Sequence, residues 1–308
     1  MAPKTKTVFI TGGNGFIGSN LARMLIKEKF NVNLLVRKNS NLWRLKEINS
    51  DIKIHQGEIE DTNSLRKIIN KIKPSYIIHL ASYGNSSDEK DFKKIIDINI
   101  SGLINLLQAS ENISYKKLII CGSSSEYGFK NKPMTETDYL IPNSYYSAAK
   151  GSATLLAQSY ALENKKPIAI LRLFSAYGPF EENNRLIPTI ISRALKNEKV
   201  FITKENIKRD FIFIDDVVSA FYKAMTIKLS PGEIINIGTG KQYSNHEIVK
   251  IIEKILKLKF KLGIFPKRAW DTNNWVADNS KARKVLKWSP EYSIEQGLKK
   301  TIEWSKQA

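Results

Sequence analysis

The constraint that bears hardest on this chain is a stretch of eight residues, TGGNGFIG (11–18). It follows TVFIT (7–11), which is β-like, and runs into GSNLARMLIKEK (18–29), whose apolar residues recur at helical spacing. A glycine turn between strand and helix bends tightly and lets a phosphate approach the backbone. The helix behind it offers unpaired N–H groups and the positive end of its dipole. The stretch fits two spacings. Gly13, Gly15 and Gly18 read as G-x-G-x-x-G, while Gly12, Gly15 and Gly18 read as G-x-x-G-x-x-G. Both cradle a dinucleotide pyrophosphate.

The same alternation continues along the chain. Strand-like runs recur at 31–36, 51–56, 76–81, 117–124 and 167–178, separated by helix-like patterns at 64–72, 91–111 and 144–164. This rhythm predicts an α/β fold, a Rossmann doubly wound parallel sheet. After Gly178 the rhythm breaks. The segment 209–225 reads as a strand and a helix that return to the first domain, and 234–256 as strand, loop and helix. The expected division is an NAD(P)-binding Rossmann domain over 1–175, with a returning segment near 209–227. A smaller, interleaved, discontinuous substrate-binding part covers 176–308.

Composition narrows the partners. One cysteine, Cys121, and three scattered histidines leave no disulfide and no zinc site, so no metal is expected. The start of the chain lacks the pattern of a secretory signal, and no run approaches the roughly 20 apolar residues of a membrane span. A cytoplasmic protein with no membrane partner is the expectation. The formal charge of +19 raises nucleic-acid binding. The lysines, however, are spread over nearly every segment, with no arginine-rich strip interleaved with aromatics. The reading is no nucleic acid, and a field that favours a diphosphate ligand.

The second strand speaks to the cofactor. NAD enzymes place an acid about 20 residues beyond the glycines, on the ribose hydroxyls. Here NLLVRKNSN puts Arg37 in that place, followed by Lys38, with no Asp or Glu between Lys29 and Lys46. Cations there favour the 2′-phosphate, hence NADP(H) over NAD(H), with Ser40, Asn41 or Arg44 as further contacts. A second landmark is Tyr146-Ser-Ala-Ala-Lys150. On a helix these two lie on one face. A nearby ammonium favours the phenolate; lowering the phenol pKa by about three units takes roughly 4 kcal/mol. Tyr146 would then serve as acid or base near neutrality.

With CGSSSEYG (121–128) upstream, the chain resembles the extended short-chain dehydrogenase/reductase family, and within it the enzymes of nucleotide-linked sugars. Further matches are HLAS (79–82), Asn99, LRLFSAYGP (171–179), RDFIFIDDV (209–217), NIGTG (236–240) and Arg268 to Asp271. The resemblance selects Gly12, Gly15 and Gly18 as the glycine set. It implies Ser123 as catalytic serine, Tyr146 as proton carrier, and Lys150 as ligand of the nicotinamide ribose that also tunes Tyr146. Cofactor contacts would include Phe16, Ile17, Glu58, Ile59, Leu80 and Ala81. Ser124, Ser125 and Ser175 would meet the sugar, and Arg209 and Arg268 the diphosphate. Trp270 and Trp275 would line the substrate pocket or pack in its core. A homodimer through the helices 91–111 and 144–164 is also implied.

Three reactions are common on this scaffold: 4-epimerisation, 4,6-dehydration and reduction of a 4-keto sugar. Dehydratases of the family carry Glu two positions after the catalytic residue; here that position is Ser125. Glu126 comes one later and, with 121–127 extended, points to the other face. The cysteine of GDP-fucose-forming reductase-epimerases is absent from the same position. Together with Arg37, the resemblance implies NADPH-dependent reduction of a nucleotide-linked 4-keto-6-deoxyhexose. A nucleotide-sugar 4-epimerase is the alternative. Behind it stand a 4,6-dehydratase and, in a different class, a non-catalytic NADP sensor.

Overall fold

The computed structural model describes residues 6–86, 88–203, 206–266 and 271–307. The glycine loop joins β1 (Thr7–Thr11) to α1 (Phe16–Lys27). β2 (Asn31–Val36), β3 (Ile52–Gln56), α2 (Thr62–Ile72) and β4 (Tyr76–His79) follow. Next come α3 (Phe92–Ile96), α4 (Gly102–Ala109), β5 (Lys117–Ser123), α5 (Tyr145–Glu163) and β6 (Ile168–Leu173). All pair in parallel in a seven-stranded sheet, whose order places β1 and β4 at its centre and β3 at one edge. The other edge is β11 (Glu233–Ile237), so the sheet draws on chain well beyond residue 175.

Alternation along the strands explains the layers. Val8, Ile10 and Leu34 pack on one face; Phe9, Leu35 and Ile77 pack on the other. Both faces are covered, as a parallel sheet requires. The returning helix, α7 (Ile214–Thr226), packs on α1, as its apolar spacing predicts.

Three expectations change in detail. The helix expected over 91–111 is interrupted by a wide π turn at Asp97–Ser101, where the Asn99 amide donates to Ile95 O at 2.8 Å and Tyr83 O at 2.6 Å. The strand expected to 178 stops at Leu173; β7 (Ser175–Tyr177) leaves the sheet and pairs with β10 (Phe211–Phe213). The segment 121–127 is not extended throughout: β5 ends at Ser123, and Ser124–Tyr127 make a 3₁₀ turn.

The smaller part holds α6 (Leu186–Leu195), β8 (Val200–Thr203), β9 (Lys208–Arg209), β12 (Tyr243–Ser244), α8 (Asn245–Leu256), β13 (Leu262–Phe265) and α9 (Ile294–Ser305). β8 pairs with β13 and β9 with β12, pairings that short runs far apart in sequence do not announce. Among the described residues no helix is long and apolar enough to cross a membrane.

Candidate active site

The glycines behave as the G-x-x-G-x-x-G spacing requires. Gly12 has φ +68°, and a Cβ there would lie 2.7 Å from the Ala81 nitrogen. A Cβ on Gly18 would strike the Gly12 carbonyl. Gly15 caps α1 with no side-chain acceptor, and the first turn carries no acid. Phe16 and Ile17 therefore present helix N–H groups to whatever anion sits in the loop. This cradle, which any side chain would fill, fits a dinucleotide. Leu80 and Ala81 form its floor just beyond β4.

Arg37 and Lys38 are exposed at the end of β2, in a turn closed by Ser40 N to Arg37 O at 3.1 Å. The Ser40 hydroxyl is buried with no protein partner, and Asn14 of the glycine loop reaches Asn41 O at 3.5 Å. Glu58 is exposed beyond β3, with Ile59 buried beside it. Burial raises the Glu58 pKa, as does Glu60, while Arg37 opposes the shift. Arg44 does not serve as expected. Its Nε donates to Phe180 O at 2.6 Å and it pairs with Glu182 at 3.0 Å, so it clamps the loop after β7.

The reacting groups converge at the C-terminal end of β5. Ser144 caps α5: its Oγ accepts Ser147 N at 3.1 Å, and Ser147 Oγ accepts Ser144 N at 2.9 Å. This fixes the helix start one residue before Tyr146, with Lys150 a turn later. The Lys150 ammonium is buried and donates to Cys121 O at 2.6 Å. Tyr146 is partly exposed, but its phenolic end is enclosed, facing the hydroxyls of Ser82 and Ser123. Ser82 in turn donates to Asn99 Oδ1 at 3.0 Å.

The expectation that Lys150 brings Tyr146 towards neutrality is not met in the protein alone. Burial pushes the phenol up to about 12, and the two serine hydroxyls only partly offset it. The lysine spends a short hydrogen bond on a carbonyl instead. Its charge acts on His79, whose pKa burial first, and Lys150 second, lower to about 3. His79 is thus a neutral partner of Thr11 Oγ1 at 2.8 Å, not an acid or base.

The substrate side is assembled from distant segments. Ser125 Oγ lies 2.8 Å from Ser123 Oγ. Ser124 is buried and accepts from Trp275 Nε1 at 3.0 Å, so its hydroxyl is engaged by protein before any sugar arrives. Trp275 packs with Tyr127, Met134 and Phe174, while its ring also lies 5.2 Å from the Arg209 guanidinium. Arg209 meets Asp271 at 3.6 Å and Thr272 O at 3.3 Å. Ser175 opens β7, its N–H donating to Asp210 O at 3.0 Å. Arg268 and Trp270 lie outside the described residues. Among the described residues no group of three metal-ligating side chains occurs.

Two features escaped the reading of the chain. Glu126 is fully buried and pairs with Arg172 at 2.7 Å. The S-x-x-E pattern from Ser123 to Glu126 was a legible signal for half of it. The other is Glu181, 9% exposed with Oε2 lacking a protein partner; burial raises its pKa to about 8, against Arg185. Above the unfolded value near 4.5, the folded chain holds a proton that the unfolded chain has released. Stability should therefore fall as pH rises from 4.5 to 8. Glu181→Gln is expected to flatten that decline in thermal melts at acid and alkaline pH; an unchanged slope would refute the assignment.

The family described as GDP-mannose 4,6 dehydratase matches residues 9–301. The UDP-glucuronate 4-epimerase of Thermodesulfobacterium geofontis is 32% identical over 311 residues, 97% of this chain and 95% of that protein. The structure of UDP-glucose 4-epimerase from Thermotoga maritima with UDP-glucose superposes with TM-score 0.91 at 28% identity, covering 98% of this chain and 99% of that one. UDP-glucuronic acid 4-epimerase from Bacillus cereus, in complex with UDP-glucuronic acid and NAD, gives TM-score 0.89 at 30% identity over 98% and 99%.

Proposed function

The chain belongs to the family described as GDP-mannose 4,6 dehydratase, the nucleotide-sugar epimerases and dehydratases of the extended short-chain dehydrogenase/reductase type, and we propose that it is a 4-epimerase of a nucleoside-diphosphate hexose. One observation carries the choice among the family's reactions. The position two beyond Ser123 is Ser125, and the carboxylate that follows, Glu126, is 0% exposed and held by Ser123 N and Arg172. The turn therefore exposes no carboxylate of the kind that dehydration at C5 would need. A 4-epimerase needs only the hydroxyl pair at C4. The similar proteins named above are 4-epimerases.

The proposed roles follow. Tyr146 takes the proton of the 4-hydroxyl and returns it at the end. Ser123 donates a hydrogen bond to the same oxygen, with Ser125 against it. Lys150 orients the nicotinamide ribose. Arg209 and Arg268 hold the diphosphate, and Ser124 and Ser175 border the sugar. The nicotinamide cofactor, when bound, supplies hydride transfer at C4.

The Arg37–Ser40 turn favours NADP(H), and with it a second reading, NADPH-dependent reduction of a nucleotide-linked 4-keto-6-deoxyhexose. Arg37→Ala is expected to weaken NADPH binding by roughly 10–100-fold, the worth of one charge-assisted hydrogen bond, and NADH binding little. Fluorescence titration with both cofactors measures it; equal losses would remove the preference.

Turnover separates the two readings. The protein would be incubated with UDP-glucose, UDP-glucuronate, UDP-N-acetylglucosamine and dTDP-4-keto-6-deoxyglucose. Inversion of one hexose with no net change in the absorbance of the reduced nicotinamide is the expected result. Stoichiometric loss of NADPH with the keto sugar would overturn the epimerase in favour of the reductase.

A homodimer is part of the proposal. Phe92, Tyr145, Leu155 and Leu162 are 53%, 62%, 52% and 59% exposed on packed helices α3 and α5. Leu155→Asp is expected to convert a dimer to a monomer in light scattering; a monomeric wild type would refute the dimer.

A further inference from the structure

The serine turn is held by a buried polar circuit that none of the roles above uses. Ser123 N donates to Glu126 Oε1 at 2.7 Å, and Arg172 Nε donates to Glu126 Oε2 at 2.7 Å. Arg172 Nη1 donates to Tyr127 OH at 3.0 Å, which donates to Asn236 Oδ1 at 2.7 Å. Asn236 Nδ2 continues to Met134 O at 2.9 Å. That carbonyl also accepts Asp278 N at 2.9 Å, and Met134 N donates to Val276 O at 2.9 Å. The segment so reached carries Trp275, whose Nε1 returns to the turn at Ser124 Oγ, 3.0 Å away. Glu126, Arg172, Tyr127 and Asn236 are each at most 2% exposed.

A circuit of this kind does more than fill space. Burying an ion pair in place of apolar side chains is seldom the cheapest way to stabilise a core. What this pair supplies is direction. The carboxylate receives the Ser123 N–H at the point where β5 gives way to the turn, and Arg172 holds the other carboxylate oxygen. Gly122 leaves it room: a Cβ there would meet Glu126 Oε1 at 3.0 Å and the Arg172 side chain at 3.1 Å. The far arm ends on the segment bearing Trp275, against which Arg209 lies. The serine turn and the diphosphate arginine thus share one rigid support.

We propose that Glu126 is a positioning residue for the Ser123 hydroxyl, acting through the Ser123 N–H and locked by Arg172. The proposal rests on the reading of Ser123 as the catalytic serine. Small displacements of a reacting group cost much: about 1 Å of misplacement can lower a rate roughly 100-fold.

Two double variants of the full chain test it. Glu126→Leu with Arg172→Leu removes both charges and leaves Ser123 N–H without an acceptor. Glu126→Gln with Arg172→Gln also removes both charges but keeps an oxygen for that N–H. With the best hexose of the panel above, the leucine pair should lose about 30–100-fold in kcat with KM within about threefold. The glutamine pair should retain at least about a fifth of wild-type kcat. Circular dichroism and NADPH fluorescence establish that both are folded. A folded leucine pair with near wild-type kcat overturns the proposal. So does a folded glutamine pair slowed by about 30-fold or more, a threshold that decides on its own if the leucine pair does not fold. Ser123→Ala, run in parallel, separates the premises: if it turns over normally, the catalytic reading fails and takes the proposal with it. If it is inactive beside an active leucine pair, the positioning role alone fails.

Discussion

Replacing Tyr146 by Phe is expected to lower kcat by about 10²–10⁴-fold, the usual contribution of one positioned acid–base group. In free energy this is roughly 3–5 kcal/mol of transition-state stabilisation, at 1.36 kcal/mol per tenfold. The change removes one oxygen from a phenol that faces Ser82 and Ser123, and leaves the ring that fills the site. Binding of NADPH and KM for the sugar should therefore change little, because neither depends on moving that proton. In the protein alone, burial pushes the pKa of this phenol up, against the two serine hydroxyls. Turnover thus depends on what the bound cofactor and sugar add to the site. Steady-state kinetics beside a cofactor titration checks the prediction. A variant with kcat within about threefold of wild type would remove Tyr146 from the proton path and revive the sensor reading.

The largest effect on stability is expected from Arg172→Ala. Glu126 would then remain in the interior with no cation, and Tyr127 OH would lose a donor. Removing one partner of a buried ion pair costs about 3–5 kcal/mol, several times the worth of an exposed pair. For a chain of this size that corresponds to a fall in Tm on the order of 10 °C. By contrast, Lys93→Ala should be nearly silent, since its pair with Asp97 lies on the surface, with the lysine side chain 83% exposed. Thermal denaturation of the two variants side by side makes the comparison. An Arg172→Ala variant that melts like wild type would show that water or a neighbour takes over from the guanidinium, and would weaken the case for a rigid serine turn.

The chain by itself determined the strand–helix order of the main sheet. The glycine loop, the strand–helix rhythm and the Tyr146–Lys150 spacing are local or periodic, so backbone geometry makes them legible without neighbours. Gly12 is an example: its left-handed φ is a property of the turn its own sequence makes. Tertiary structure decided the electrostatics. Arg44, one of three candidate phosphate contacts, is claimed by Phe180 and Glu182, 136 and 138 residues away. Arg172 meets Glu126 across 46 residues, and Trp275 meets Ser124 across 151. The phenol of Tyr146 is shifted upward where its helical neighbour alone would shift it down. The reason is common to all of these. A charge or hydroxyl acts according to the solvent it has lost and the partner it has gained, and both are set by segments that only the folded chain brings together.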